Sequence, residues 1–114
     1  MSVLEQAIEA PEIVQALRTY GVTQNDVASV VGVTDRAVRN WGTGRIRPDK
    51  YDRLAEMRDL VILLSDSLTP RGVDQWLHAR NRLLDGARPV DLLHEGRFEE
   101  IREAAKGFVD GIYV

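Results

Sequence analysis

Residues 23–42 read TQNDVASVVGVTDRAVRNWG, a pattern typical of two short helices joined by a sharp turn. Ala28 is small where the second helix must cross closely over the first. Gly32 stands four residues later, where a positive φ costs glycine nothing. Thr23 and Thr34 are each suited to cap the amino end of one helix. The pattern predicts a helix-turn-helix unit, and it constrains the fold more than any other segment does.

The second helix of this pair carries polar side chains suited to DNA. Arg36, Arg39 and Asn40 are expected on its exposed face, and such groups contact phosphates or read base edges in the major groove. Asp35 at the start of the helix either repels phosphate or serves the helix dipole. Three further cations follow the helix, and we expect them along the DNA backbone. The predicted DNA contacts are Thr34, Arg36, Arg39, Asn40, Arg45, Arg47 and Lys50.

Positive charge is concentrated in the same part of the chain. The whole chain is net −3, but residues 34–53 hold six Lys/Arg against three Asp and are net +3. Residues 1–33 and residues 54–114 are each net −3. A basic segment in an acidic protein is what contact with phosphates requires, so we predict operator DNA as a partner. The alternative is a solvated charged face on two helices that pack without nucleic acid.

The composition argues against several classes of site. The chain has no cysteine, which excludes disulfides and thiolate chemistry. His78 and His94 lack metal-binding spacing, and the glutamates at 99, 100 and 103 fit an exposed helix face better than a catalytic pair. We therefore expect no metal, no cofactor and no enzymatic activity. Because the longest apolar run is Leu60–Leu64 and no signal peptide is apparent, we expect a soluble, cytoplasmic protein without membrane contact.

A long central helix is predicted from about Asp49 to Leu68. One apolar stripe runs along it at helical spacing, and residues 60–64 (LVILL) are apolar around most of the helix circumference. A second apolar face needs another surface to cover it, so we predict a homodimer built on this helix. The alternative is that the C-terminal half folds back and covers both faces.

Helices are predicted throughout the chain, with no convincing strand. An early helix has Pro11 in its first turn and ends at Gly21. After Thr69, proline and glycine punctuate four short helices over 70–78, 81–85, 89–95 and 97–109, with Asn81 as a cap. The predicted fold class is all-α. It has a helix-turn-helix unit over 1–48, a connecting helix over 49–69 and a compact C-terminal unit over 70–114.

The segment from Trp76 to Gly96, WLHARNRLLDGARPVDLLHEG, resembles the C-terminal toxin-binding domain of the Xre–MbcA–ParS antitoxin family. That family joins a Xre-like helix-turn-helix domain to this short domain, and the resemblance covers the chain from about Val14 to Val114. One departure is Arg80, which stands where the family often has a proline before the asparagine.

The resemblance implies a function. Members are antitoxins of type II toxin–antitoxin modules, and they carry out no catalysis of their own. Their partners are RES-domain toxins, which act on NAD by degrading it or by transferring ADP-ribose. The antitoxin forms a hetero-oligomer with the toxin and covers its active-site cleft with C-terminal residues. Many members also repress their own operon.

The residues expected to bind the toxin are Trp76, Asn81, Asp110, Gly111, Ile112, Tyr113 and Val114. A cleft that holds the pyrophosphate of NAD must offer cationic or donor groups, and Asp110 and the terminal carboxylate suit them. Ile112 and Tyr113 are expected to fill apolar space. The alternative is that the tail packs on the core of its own chain. The alternative function is a free-standing helix-turn-helix repressor whose C-terminal half only mediates dimerisation.

Overall fold

A computed structural model describes residues 2–111, and within them the chain is helical with no strand. The predicted all-α class is therefore confirmed. The elements are α1 (Val3–Gln6), α2 (Ala10–Arg18), α3 (Gln24–Val31), α4 (Asp35–Asn40), α5 (Pro48–Ser65), α6 (Pro70–His78), a 3₁₀ helix (Arg82–Leu84), α7 (Pro89–His94) and α8 (Phe98–Val109). None of the helices in this part of the chain has the length and apolar character needed to cross a membrane.

Prolines begin four of these helices. Pro11, Pro48, Pro70 and Pro89 each occupy one of the first two positions of α2, α5, α6 and α7, respectively. Proline suits these positions because its φ is already helical and its missing N–H would have no partner within the helix. The sequence pattern missed α1, which is a single turn of four residues.

The two helices predicted over residues 23–42 are present, and local hydrogen bonds account for their boundaries. The Thr23 hydroxyl accepts from the Asp26 N–H (3.1 Å), and the Asp26 carboxylate accepts from the Thr23 N–H (3.0 Å). This reciprocal pair is a capping box at the start of α3. The Thr34 hydroxyl caps α4 by accepting from Ala37 N–H (3.1 Å). Gly32 ends α3 at a φ of 83°, as its position predicted.

Helix α5 is the centre of the core. Its residues Leu54, Met57, Leu60, Val61 and Leu64 are buried, and helices α1, α2, α3, α6 and α8 all pack against it. These buried positions recur at helical spacing and form one apolar face along the helix. The helix is therefore enclosed on several sides by its own chain.

The packing around α5 bears on the predicted homodimer. Ile62 and Leu63, the remaining residues of the LVILL block, are partly buried and pack against the same core. The chain itself therefore covers part of this second apolar face, as the fold-back alternative expects, and leaves Ile62 and Leu63 partly exposed. Homodimer formation stays a prediction.

The long helix is also shorter than expected at its end. It begins at Pro48 and ends at Ser65, three residues before Leu68. The last turn tightens, since the N–H groups of Asp66 and Ser67 donate to carbonyls three residues back (3.2 Å each). Thr69 then starts α6 by accepting from Gly72 N–H (3.1 Å).

A single hydrophobic core joins the parts of the chain that the sequence divided. Buried residues from α1 to α8 form one cluster. Helix α3 packs against α7, and at their contact His94 Nε2 lies 3.0 Å from Asp26 Oδ1. The boundaries at residues 48 and 69 therefore mark changes of element along the chain, with packing that continues across them.

We expect Gly32→Ala to lower the free energy of unfolding by about 1–2 kcal/mol, because an L-residue is strained at this positive φ. An added Cβ would meet only Lys50 Nζ at 3.6 Å, so crowding contributes little. Gly42→Ala is the matched control, since nothing lies within 4 Å of its added Cβ and its φ is not left-handed. Urea denaturation measures both, and equal midpoints would contradict the left-handed turn at Gly32.

Candidate partner-binding surfaces

Helix α4 presents the predicted DNA contacts on the protein surface. Arg36, Arg39 and Asn40 are exposed on the helix. Arg45 and Arg47 are exposed in the segment that follows, and Lys50 is partly buried in the first turn of α5. Thr34 is exposed too, but its hydroxyl is engaged in the α4 cap.

Most of these cations have no carboxylate partner within residues 2–111. Arg36, Arg39, Arg45 and Lys50 form no ion pair there, whereas Arg47 lies 3.6 Å from an Asp49 oxygen in an exposed contact. An exposed pair of this kind contributes little to stability. The basic surface on α4 therefore retains its charge for an anionic partner.

Asp35 turns partly into the protein at the start of α4. The residue is half-buried, and its Oδ1 is enclosed without a hydrogen-bond partner in the described part of the chain. The Gln24 amide donates to the Asp35 carbonyl at 3.5 Å, which ties the start of α3 to the start of α4. The one carboxylate on this helix is thus partly withdrawn from the exposed face.

A second surface lies where α6, the 3₁₀ helix and α8 meet. The rings of Trp76 and Phe108 are 6.4 Å apart between centroids and tilted by 54°, a favourable arrangement for two aromatic rings. They border an open pocket of about 190 Å³. Its lining residues, which we call the Trp76 pocket, are Trp76, Arg80, Asn81, Arg82, Leu83 and Phe108.

Asn81 shapes one wall of the Trp76 pocket through its hydrogen bonds. Its side-chain oxygen accepts from Leu83 N–H (2.9 Å), and its own N–H donates to the Ala87 carbonyl (3.0 Å). The Asn81 carbonyl accepts from the N–H groups of Leu84 (3.0 Å) and Gly86 (2.9 Å). The loop from 81 to 87 is therefore closed around this one residue. The main role of Asn81 visible in the structure is therefore to fix the shape of the Trp76 pocket.

Leu83 and Phe108 complete the apolar centre of this surface, and the sequence did not single them out. They are 37% and 36% exposed, which is unusual for large apolar side chains. Phe108 follows the buried apolar positions of α8 at helical spacing, so the sequence pattern predicts a core residue there. Leu83 stands beside the buried Leu84 in a paired leucine. The pattern of apolar residues in the sequence does not distinguish the exposed Leu83 and Phe108 from their buried neighbours.

The Trp76 pocket has a basic edge and an acidic edge. Arg80 and Arg82 are exposed and form no ion pair within residues 2–111, although Arg80 donates to the Gly86 carbonyl (3.2 Å). On the other side, Leu83 also borders a smaller hollow lined by Glu100 and Glu103. The surface therefore suits a partner with an apolar projection and charges of both signs around it.

Nearby carboxylates are already paired with arginines. A hydrogen bond from the Arg88 guanidinium lowers the pKa of Asp91, and one from Arg97 lowers the pKa of Glu100. The pairs are short, with 2.9 Å between Arg88 Nε and Asp91 Oδ2 and 2.6 Å between Arg97 Nη2 and Glu100 Oε2. These arginines are neutralised in place, in contrast to Arg80 and Arg82.

Of the predicted C-terminal contacts, Asp110 and Gly111 are exposed at the end of α8, immediately after Phe108 and Val109. Gly111 has a φ of 73°. The chain therefore leaves α8 beside the Trp76 pocket. Ile112, Tyr113 and Val114, on which the tail prediction mainly depends, lie outside the described residues.

Neither surface has the make-up of a metal centre. Within residues 2–111 no group of three or more His, Cys, Asp or Glu residues is placed to hold an ion. The core in the same part of the chain contains no buried polar or charged residue. The structure instead presents two candidate contact surfaces. The α4 surface is basic, and the Trp76 pocket is apolar with charged edges.

The chain is similar to antitoxins of mycobacteria. The chain is 68% identical over 111 residues to a probable mycobacterial cidal antitoxin of Mycobacterium tuberculosis, covering 97% of this chain and 96% of that protein. It is 26% identical over 101 residues to the mycobacterial cidal antitoxin MbcA of Mycobacterium bovis, covering 87% and 89%. No family model matches the chain.

A solved structure has the same fold. A chain in the crystal structure of the M. tuberculosis MbcT–MbcA toxin–antitoxin complex superimposes with a TM-score of 0.74. The match covers 95% of this chain and 99% of that chain, at 24% sequence identity. The likeness extends over the N-terminal helices, α5 and the C-terminal half together.

We expect Asn81→Ala to lower the free energy of unfolding by about 1 kcal/mol, because the Leu83 N–H loses its acceptor. Asn81→Asp keeps a side-chain oxygen at this position and is the matched control. Thermal denaturation followed by circular dichroism measures both variants. If Asn81→Ala melts with the wild type, the side chain does not hold the loop, and a direct contact with a partner becomes its main role.

Proposed function

This chain belongs to the mycobacterial cidal antitoxin family, and we propose that it binds a cognate toxin through the Trp76 pocket. The family assignment rests on 68% identity over almost the full length of both chains. The MbcA relative, whose fold this chain shares, is part of a complex with the toxin MbcT. The observation that carries the proposed surface is the half-exposed apolar cluster of Trp76, Leu83 and Phe108.

The chemistry of the cluster supports a protein partner. Aromatic side chains anchor protein interfaces because they bury a large area with little loss of conformational freedom. Arg80 and Arg82 beside them have no intramolecular ion pair within residues 2–111, so an interface does not have to break one. A toxin carrying an apolar side chain flanked by carboxylates fits this edge of the pocket.

We propose that the toxin is a RES-domain enzyme that acts on NAD, as the Trp76–Gly96 resemblance to the Xre–MbcA–ParS family implies. Inhibition takes place in the cytoplasm and needs no catalysis by this chain. The antitoxin prevents turnover by occupying the cleft in which NAD would bind.

The C-terminal segment 110–114 is proposed to enter that cleft. Support comes from the position of Asp110 and Gly111, which leave α8 next to the Trp76 pocket. A toxin docked on the pocket therefore meets the start of the tail. The competing arrangement, in which residues 112–114 pack on the core of their own chain, predicts that the tail has no part in inhibition.

We also propose that the α4 surface binds operator DNA and represses the operon. Arg36, Arg39, Arg45 and Lys50 form no ion pair within the described residues, and this supports the proposal, since DNA binding depends on cations available to phosphates. A homodimer would present two such helices to an inverted repeat. A free-standing repressor, the alternative function, would use the C-terminal half for dimerisation alone. That half packs on α5 of the same chain and leaves the Trp76 pocket open.

Leu83→Asp is expected to weaken binding of the co-expressed toxin by more than about 1 kcal/mol, because it places a carboxylate at the apolar centre of the interface. Ile8→Asp is the matched control, since Ile8 is also an exposed apolar residue (67% exposed) but lies outside the pocket. Affinity is measured by isothermal titration with purified toxin.

The two variants distinguish loss of the toxin interface from a general effect of the added charge. Equal toxin binding by Leu83→Asp and wild type would rule out the Trp76 pocket as the docking surface. Equal losses in both variants would point to a general effect of the added charge. Absence of any complex with the wild-type chain would refute the antitoxin mechanism.

Deleting residues 111–114 is expected to leave a folded protein that binds the toxin more weakly and no longer suppresses its consumption of NAD. The deletion begins after the end of α8, so the described helices remain intact. The measurements are NAD loss in the presence of toxin and growth of cells expressing both proteins. Full protection by the truncated chain would show that the tail does not cover the active site.

A further inference from the structure

We propose that the cleft between α2 and α4 binds a phosphate of the DNA backbone, held by Arg18 and Arg39. This inference rests on the proposed binding of DNA by α4 and identifies a contact outside the helix-turn-helix segment. It also gives Arg39 a different role from the one the sequence suggested.

The cleft is open, has a volume of about 400 Å³ and is lined by both polar and apolar residues. Its rim carries Gln15, Arg18, Gln24 and Arg39, above apolar residues that include Val14 and Val38. No carboxylate belongs to the described residues that line it. Two arginines and two glutamines therefore line one space, and these side-chain types are able to donate hydrogen bonds to an anion.

Arg18 is exposed in the last turn of α2 and makes no ion pair within residues 2–111. The same is true of Arg39. What distinguishes Arg18 and Arg39 is that they line the same cleft, to which the described residues contribute no carboxylate. In a chain of net charge −3, this is a local excess of positive charge. A phosphate is the complementary group, and guanidinium donors match its geometry.

Helix geometry separates Arg39 from the other exposed residues of α4. At 3.6 residues per turn, Arg36 and Asn40 lie about 40° apart around the axis, whereas Arg39 is about 100° from Asn40 and on the far side of Arg36. Arg39 also lines the cleft, and Arg36 and Asn40 do not. We therefore assign base reading to Arg36 and Asn40, and a sequence-independent contact to Arg39.

The walls of the cleft are held in place by the fold. Gln24 lies on the rim and donates to the Asp35 carbonyl at 3.5 Å, which fixes the start of α3 against α4. Helix α2, which carries Arg18, packs on α5, and α4, which carries Arg39, packs on α3, which itself packs on α5. The two arginines therefore stand on helices joined through one core. A phosphate seated between them would set how deeply α4 enters the groove.

The test compares Arg18→Ala, Arg39→Ala and Arg36→Ala in the full chain, with Arg71→Ala as the control for losing one positive charge. Arg71 is exposed on α6, is outside the cleft and makes no ion pair within residues 2–111. The probes are a labelled duplex from directly upstream of the coding sequence and a shuffled duplex of equal length. Anisotropy titrations cover about 50–200 mM salt, with the protein alone and with its co-purified toxin.

Arg18→Ala and Arg39→Ala are each expected to bind both duplexes severalfold more weakly, with the slope of log K against log salt reduced by about 1. Arg36→Ala is expected to lose the preference for the upstream duplex, and Arg71→Ala to resemble the wild type. The phosphate site is overturned if Arg18→Ala matches Arg71→Ala. It is also overturned if Arg39→Ala loses affinity only for the upstream duplex, since Arg39 then reads bases. If the wild type binds neither duplex in either form, DNA binding itself fails, and the phosphate site with it.

Discussion

Burial of α5 is the constraint on which both surfaces depend. Five buried apolar side chains on this helix receive α1, α2, α3, α6 and α8, and each side chain of this size contributes roughly 1.5–3 kcal/mol when fully buried. Polar contacts add to this packing at the amino end of the chain. Arg58 donates to the Ala7 carbonyl at 3.2 Å, and the Tyr51 hydroxyl donates to the Ile8 carbonyl. The α4 surface and the Trp76 pocket are consequently carried on opposite halves of a chain that shares one core.

Local rules in the sequence predicted the helices well. Capping residues, prolines and glycines act on their immediate neighbours, so Thr23, Thr34, Gly32 and Asn81 identified their turns correctly. The end of α5 was misplaced because Leu68 continues the apolar stripe although the last turn has already tightened. Which surface covers the second apolar face of α5 could not be predicted from local rules, since it depends on which distant helices pack there.

The candidate surfaces were predictable only in part, for the same physical reason. The helix-turn-helix pattern predicted Arg36, Arg39 and Asn40 on the exposed face of α4, where they lie, because this signal is local. Trp76 was predicted from the family resemblance. Arg18, Leu83 and Phe108 acquire their significance from neighbours far away in the sequence. An exposed phenylalanine at a core-like position of α8 is visible only once the end of α8 is seen to lie over the Trp76 pocket. The resemblance over Trp76–Gly96 supplied the family, which packing rules do not contain.

The contact between Asp26 and His94 has a consequence for how such a protein can change over generations. One oxygen of this carboxylate accepts from the Thr23 N–H at the start of α3, and the other lies 3.0 Å from His94 Nε2 on α7. A single side chain therefore serves the helix pair next to the proposed DNA contacts and the half next to the proposed toxin contacts. A substitution of Asp26 or of His94 therefore changes a contact between the two halves. Exchanging the halves between relatives keeps this contact only if Asp26 and His94 are exchanged as a matched pair.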